Sequence, residues 1–364
     1  MSISSFGIRA AISVKARTLS GTLMTNELFR TLLACATVGE IAVCLSGVSG
    51  YGDVFGDAHP ETLHRSDLEA RLYLVPFARM LPFLHYADPV RRRILLSWKA
   101  RFDGDVIKRV LRFVQAQGGE REILGRMVAK VPLTSVDGER LLSAESIEDV
   151  LAALSGSPFH EVLKEPLRRM RRQGETLFSA EMAIDTSVID ALTASFAPLG
   201  GEEKRQLLLL LGTRADLLNM YWIYRAKRFF GLSPEEIIGR LLRLRYRAPF
   251  RLLSALARAE SPDSFRSLIE SSHYASVFST IPAKRNEIEE MALEASMYRL
   301  IRNTACRVRD SGTPGIHVVL AWLVLLEIEI LDIITIIEDV RYRLDRASAR
   351  RFLSRDIEAE VNPA

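Results

Sequence analysis

The chain has 364 residues, of which 48% are hydrophobic and 26% charged, with a formal net charge of +4. That apolar content excludes a globally disordered chain, and the length allows two or three domains of ordinary size. So small a charge excess does not by itself imply a nucleic-acid partner.

In chain order, an amphipathic helix is predicted from near Ile8, running into Ala16-Arg17-x-Leu19-Ser20-Gly21-x-Leu23-Met24-Thr25. The first residues, MSISSFGIRAAISVKARTL, hold no uninterrupted apolar core before a small-residue cleavage site, so no signal peptide is expected. Next comes LLACATVGEIAVCLSGVSGYGDVF (32–55), and its pattern returns twice, as LLSAESIEDVLAALSGSPFHEVL (141–163) and LARAESPDSFRSLIESSHYASVF (256–278). Equivalent positions are Thr37, Ser146 and Ser261, then Ile41, Val150 and Phe265, then Leu45, Leu154 and Ile269. Tyr51, Phe159 and Tyr274 follow, and then Val54, Val162 and Val277. The aromatics lie 108 and 115 residues apart, too far for a solenoid unit of about 20–50 residues. The chain therefore reads as one helical module used three times, over 1–118, 119–233 and 234–364.

Each copy has the chemistry of a short capped helix. Thr37, Ser146 and Ser261 are predicted N-caps. Thr37-x-x-Glu40 is a capping box and Ser146-x-x-Asp149 is close to one, while Pro262 suits the first helical position. Basic residues cluster at Arg91–Arg93, at Arg168, Arg169, Arg171 and Arg172, from Arg240 to Arg251 and from Arg341 to Arg355. They are solvated helix faces or contact surfaces for acidic partners.

The stretch 205–242 is the strongest local signal. A helix over about Glu202 to Phe230, apolar nearly all round, is expected to be central and buried. It carries Asp216-x-x-Asn219 and Arg225-x-Lys227, polar groups that need partners inside such a helix. Gly231 suits its C′ position, and Ser233-Pro234-Glu235-Glu236 restarts a helix. Trp98-Lys99-Ala100-Arg101 reads as a fainter counterpart of Tyr224-Arg225-Ala226-Lys227 in the first module.

Near the C-terminus, VVLAWLVLLEIEILDIITII (318–337) is long enough to span a bilayer. It holds Glu327, Glu329 and Asp332, which cost about 8–10 kcal/mol to insert against about 4–8 kcal/mol returned by its aliphatic side chains. A soluble buried helix is expected, with at least one of the three carboxylates paired to an arginine such as Arg17 or Arg302.

Catalytic patterns are missing. There is no GxxxxGK[ST], no HExxH and no GxSxG, and the six histidines (59, 64, 85, 160, 273 and 317) form no zinc-binding spacing. No cofactor, metal or catalytic residue is predicted. Cys35, Cys44 and Cys306 form no CxxC pair and fit free thiols in a reducing compartment.

Taken together, 16–25, Asp216-x-x-Asn219 with Arg225-x-Lys227, Glu327-x-Glu329-Ile330 and the threefold repeat resemble the C-subunit family of the V-type and A-type rotary ATPases, whose eukaryotic counterpart is the V-ATPase d subunit. The family's last motif resembles E-x-E-I-R-N-x-R, whereas this chain continues Leu331-Asp332-Ile333-Ile334. The resemblance implies an all-α funnel of three similar helix bundles with pseudo-threefold symmetry. It also implies a non-catalytic coupling role, with central-stalk subunits and a membrane rotor ring as partners. The expected location is cytoplasmic, on the inner face of the membrane, touching it only through other subunits. Asp216, Asn219, Arg225, Lys227, Glu327 and Glu329 are its family-motif structural residues. Two other readings differ in class: a helical nucleic-acid-binding protein using its arginine clusters, and an α-helical enzyme whose site forms only in three dimensions.

Overall fold

The computed structural model describes residues 5–56, 58–116, 121–173, 176–278, 281, 289–342 and 346–358. Among these every regular element is a helix and none is a strand, as the periodicity of the apolar residues dictates. The chain divides into two compact units, one of Met1–Pro76, Gly200–Ile238 and Arg245–Ala364, the other of Phe77–Leu199 and Gly239–Leu244. The predicted module boundary at 118/119 lies outside the described residues, and that at 233/234 falls inside the first unit.

The first unit is built on the helix Ile316–Tyr342, which packs against Glu290–Arg309 and Ser5–Ser20. Its aliphatic residues are buried almost all round, and Glu329 and Asp332 are buried with them. Among the described residues no helix is long and apolar enough to cross a membrane, in line with the charge arithmetic. The helix has no capping residue of its own. Instead, Ser13 Oγ accepts from Gly315 N at 2.8 Å and Glu203 Oε1 accepts from Ile316 N at 2.7 Å. A carboxylate there also meets the positive end of the helix dipole. Two segments distant in sequence thus satisfy amides that the local sequence leaves open.

His317, the second residue of this helix, is fully buried, and burial holds its imidazole below the usual pKa. The folded chain keeps it neutral while the unfolded chain takes up a proton near pH 6.5. Its contribution is therefore intact above that pH and is lost as the pH falls below it, by at most about 1.4 kcal/mol per pH unit. Urea titrations between about pH 6.5 and 5 should show this slope in the parent chain and a shallower one in His317→Gln.

The predicted central helix is present as one run over 201–229, with a π turn at Leu208–Gly212. Gly212 lies where a Cβ would come within 2.7 Å of Tyr246 Cβ, so the close approach of the 246 turn requires glycine. At its C-terminal end Gly231 adopts φ +58° as the C′ residue. Ser233 and Glu236 then exchange capping-box bonds, at 2.9 and 3.3 Å, where a helix restart was predicted.

The second unit is centred on Pro89–Ala116 packed along Phe178–Phe196. Gly104 permits that approach, since a Cβ there would lie 2.7 Å from Ile184 Cγ2. Gly104→Ala should destabilise the chain by about 1–3 kcal/mol through overpacking, outweighing the gain in helix propensity, as a shift of the urea midpoint will show.

All three repeat copies form their predicted caps. Thr37, Ser146 and Ser261 accept from the backbone N–H three residues on, each at 3.1 Å. Ser146 and Ser261 complete a box with Asp149 and Ser264. Glu40 departs slightly, accepting from Ala36 N at 2.7 Å. Of the predicted apolar positions, Val38 and Ile147 at the helix starts and Val162 are incompletely buried, with Leu163 taking the interior place beside Val162.

Candidate functional site

Tyr51, Phe159 and Tyr274 are all buried, and beside each of the two tyrosines lies a carboxylate on a long helix. Asp216 Oδ2 accepts from the Tyr274 hydroxyl at 2.6 Å. The same carboxylate gathers three successive backbone amides, from Tyr246 at 3.1 Å, Arg247 at 2.6 Å and Ala248 at 2.8 Å. Glu329 accepts from the Tyr51 hydroxyl and from Met24 N, both at 2.7 Å. In the second unit Asp103 accepts from Thr134 N at 2.8 Å and Ser135 N at 3.4 Å, and Phe159 lies beside the adjoining Gly104.

Asp103, Asp216 and Glu329 are spaced by 113 residues in each interval (216 − 103 and 329 − 216). Each fixes the turn that leads into the next capped helix pair. Glu329 does so for the N-terminal copy, so that repeat takes its carboxylate from the other end of the chain. Burial pushes all three carboxyls above their usual range, although their donors pull the other way.

The missing hydroxyl of Phe159 has a local substitute. Lys99, buried one turn before Asp103, reaches Asp103 Oδ1 at 3.4 Å, the Pro132 carbonyl at 2.5 Å and Thr134 Oγ1 at 2.8 Å. At the matching positions stand Gly212 and Leu325, and both of those repeats keep a tyrosine. The donor to the carboxylate therefore comes either from the aromatic or from a lysine on the long helix. This corrects the expected match of Trp98–Arg101 with Tyr224–Lys227: Lys99 precedes its carboxylate by four residues, and Arg225, its expected counterpart, follows Asp216 by nine.

The six motif residues serve different ends. Asp216, Asn219 and Glu329 are buried. Lys227 Nζ donates to the Ala257 carbonyl at 2.7 Å, at the C-terminal end of Phe250–Arg258, and burial lowers its pKa. Arg225 pairs with Glu290 at 3.1 Å and Glu327 with Arg214 at 2.9 Å. The departure at Asp332 is answered by the chain end. Asp332 accepts from Ser354 N at 2.8 Å and from Ser354 Oγ at 2.7 Å. Its ion pair is with Arg355 Nε, at 3.2 Å. Arg355 also reaches Glu329 at 3.7 Å and the Met24 carbonyl at 2.9 Å, and covers the Phe29 ring at 3.9 Å. An arginine pairing with these carboxylates was expected, but Arg355 and Arg214 supply it rather than Arg17 or Arg302. Sequence reasoning missed Asp103 altogether, placed Lys99 only in the Trp98–Arg101 motif and Arg355 only at the end of a basic run. The one available signal was the equal spacing of the carboxylates, with Asn219 and Asp332 each three residues beyond theirs.

The arginine clusters separate into two kinds. On Pro158–Gln173, Arg168 and Arg169 pair with Glu165, and Arg171 with Glu148, as on a solvated helix face. In the turn held by Asp216, Arg245, Tyr246 and Arg247 are exposed, as are Phe250 and Arg251 at the start of the helix Phe250–Arg258 that it leads into. Arg245 lies 5.8 Å from the Phe250 ring and Arg247 lies 5.2 Å from that of Tyr246. Among the described residues no carboxylate pairs with Arg245, Arg247 or Arg251. Also in the first unit, Met291, Leu331, Ile334, Tyr342 and Phe352 line a groove of about 620 Å³. No group of three or more His, Cys, Asp or Glu among the described residues could hold a metal ion.

Residues 12–352 match the model of the ATP synthase (C/AC39) subunit family. Two curated relatives are A-type ATP synthase C subunits. That of Methanosphaera stadtmanae is 27% identical over 62% of this chain, and that of Methanobrevibacter smithii is 25% identical over 81%. The matched region spans 58% of the first relative's length and 75% of the second's.

Proposed function

The chain belongs to the ATP synthase (C/AC39) subunit family, and from that premise we propose that it is a non-catalytic central-rotor subunit of a V/A-type rotary ATPase. It is a socket that receives the central stalk and seats on the membrane rotor ring, passing torque between them during ATP-driven ion transport or ATP synthesis. Its three modules, 1–118, 119–233 and 234–364, form a funnel of pseudo-threefold symmetry. The protein sits at the cytoplasmic face of the membrane and is held there by other subunits.

The observation that carries this reading is the recurring carboxylate anchor. A part that transmits torque must not deform, and packed helical interiors have low compressibility. Each anchor goes further by fixing a turn through hydrogen bonds to a buried charge, the stronger kind. The turn held by Asp216 displays unpaired arginines beside aromatic side chains, a surface suited to an acidic partner, and the groove at Met291 and Tyr342 offers apolar contact. No observation favours the nucleic-acid alternative.

Purified chain mixed with detergent-solubilised rotor ring, and separately with the central-stalk subunits, tests the reading by native mass spectrometry. A stable assembly should bury at least about 1,000 Å², and charged rims should make its association rate fall with salt. Binding to both preparations is expected. Binding to neither overturns the proposal.

A further inference from the structure

Cys35 and Cys44 are nine residues apart in sequence, yet their Sγ atoms lie 3.7 Å from one another. Cys35 closes the C-terminal end of Asn26–Ala34 and is buried; Cys44 sits within Val38–Ser46 and is half-buried. Neither is in a disulfide, and Cys35 Sγ donates to the Thr31 carbonyl at 3.5 Å. They share the lining of a cavity of about 480 Å³ with Thr31, Ala34, Val43 and Glu61. Counting from the caps Thr37, Ser146 and Ser261, the positions of Cys35 are Ala144 and Ala259 in the other repeats, and those of Cys44 are Ala153 and Leu268. The residues at those positions elsewhere are small or aliphatic. Only the first repeat has a thiol at both positions, and it uses two of the chain's three cysteines.

We propose that Cys35 and Cys44 form a redox-active dithiol, a modification site whose co-substrate is a small two-electron oxidant of the peroxide class. Access assigns the order. The cavity admits hydrogen peroxide to the half-buried Cys44, whose thiolate sulfur attacks a peroxide oxygen. One water leaves and a sulfenic acid remains. Cys35 Sγ then attacks Cys44 Sγ, the S–O bond breaks, and the oxygen leaves as a second water after taking up the thiol proton. One S–S bond has formed, two thiols have lost two electrons, and one peroxide has become two waters. The sulfurs need only close from 3.7 Å to a bond length of about 2.0 Å. The bond staples together the two helices that run from the Met24 anchor to the Tyr51 anchor. A dithiol reductant restores the pair by thiol–disulfide exchange. With two sulfurs and no third ligand in reach among the described residues, the site is suited to this covalent step rather than to a metal ion.

The full chain, exposed to stoichiometric hydrogen peroxide while folded, quenched, unfolded and alkylated, tests the proposal. The expected product has one alkylatable thiol, Cys306, a mass about 2 Da below the untreated chain, and a peptide in which Cys35 is joined to Cys44. Dithiothreitol should return all three thiols. The variant Cys306→Ser should still lose both remaining thiols. In Cys44→Ser no intramolecular bond should form, and circular dichroism of that variant checks that it is folded. Three thiols surviving the treatment, sulfinic acid at one cysteine, or covalent dimers as the main product would each overturn the assignment. None of these outcomes bears on the coupling role, which the binding experiment tests separately.

Discussion

Arg355→Met is expected to cost the fold about 3–5 kcal/mol, the penalty for removing one partner of a buried ion pair. Arg355 is the only cation within 4.0 Å of Glu329 or Asp332 among the described residues, and both carboxylates are buried. Burial already pushes each carboxyl above its usual range; Arg355 is the main group opposing that push at Asp332, and at Glu329 it acts beside the Tyr51 hydroxyl. Without it two negative charges share a site that water does not reach. The guanidinium also donates to the Met24 carbonyl and covers Phe29, so the N-terminal and C-terminal segments loosen together. Equilibrium urea unfolding measures the loss. A companion variant, Arg355→Met with Asp332→Leu, removes one of the stranded charges and should recover part of the stability, because replacing both partners with apolar groups avoids the uncompensated charge. A single substitution that costs under about 1 kcal/mol would place Arg355 among ordinary surface cations.

Asp216→Ala should be the other severe change, at about 3–5 kcal/mol, since a buried group hydrogen-bonded to several donors is deleted and the donors stay behind. The amides of Tyr246, Arg247 and Ala248 and the Tyr274 hydroxyl all lose their acceptor. Asp216→Asn keeps the shape but offers one acceptor oxygen and two unwanted donors, so it should fall between the parent and the alanine variant. The consequence beyond stability is local. Arg245, Arg247 and Arg251 are displayed by the turn that Asp216 fixes, so amide exchange at 245–248 should accelerate in both variants. Under the proposed function their binding to an acidic partner should weaken, while that of a variant destabilised elsewhere, such as Gly104→Ala, should not.

What was legible in the sequence was local. The N-caps at Thr37, Ser146 and Ser261 need only residues three apart, and all three form. That 318–337 is no membrane span followed from three carboxylates whose insertion cost exceeds the aliphatic return. Gly231 ends the central helix because its position requires a positive φ. What was not legible depends on distant partners. Asp103 lies in an ordinary amphipathic stretch, and nothing there shows that its amide donors stand about thirty residues on. Arg355 belongs to a basic tail indistinguishable by composition from a solvated one. The π turn at Leu208–Gly212 answers a contact with Tyr246, not a local propensity. Phe159 looked like a conservative exchange for tyrosine, and only the side chain of Lys99 shows what the lost hydroxyl was doing.

The coupling role itself is tested most directly in vesicles. Rotary complexes are reconstituted with and without this chain, and ATP hydrolysis and ion transport are recorded on the same preparation. If the chain joins stalk to ring, complexes lacking it should still hydrolyse ATP while ATP-driven ion transport is lost, and adding the purified chain back should restore transport. Undiminished transport in complexes shown by mass spectrometry to lack the chain would contradict the account.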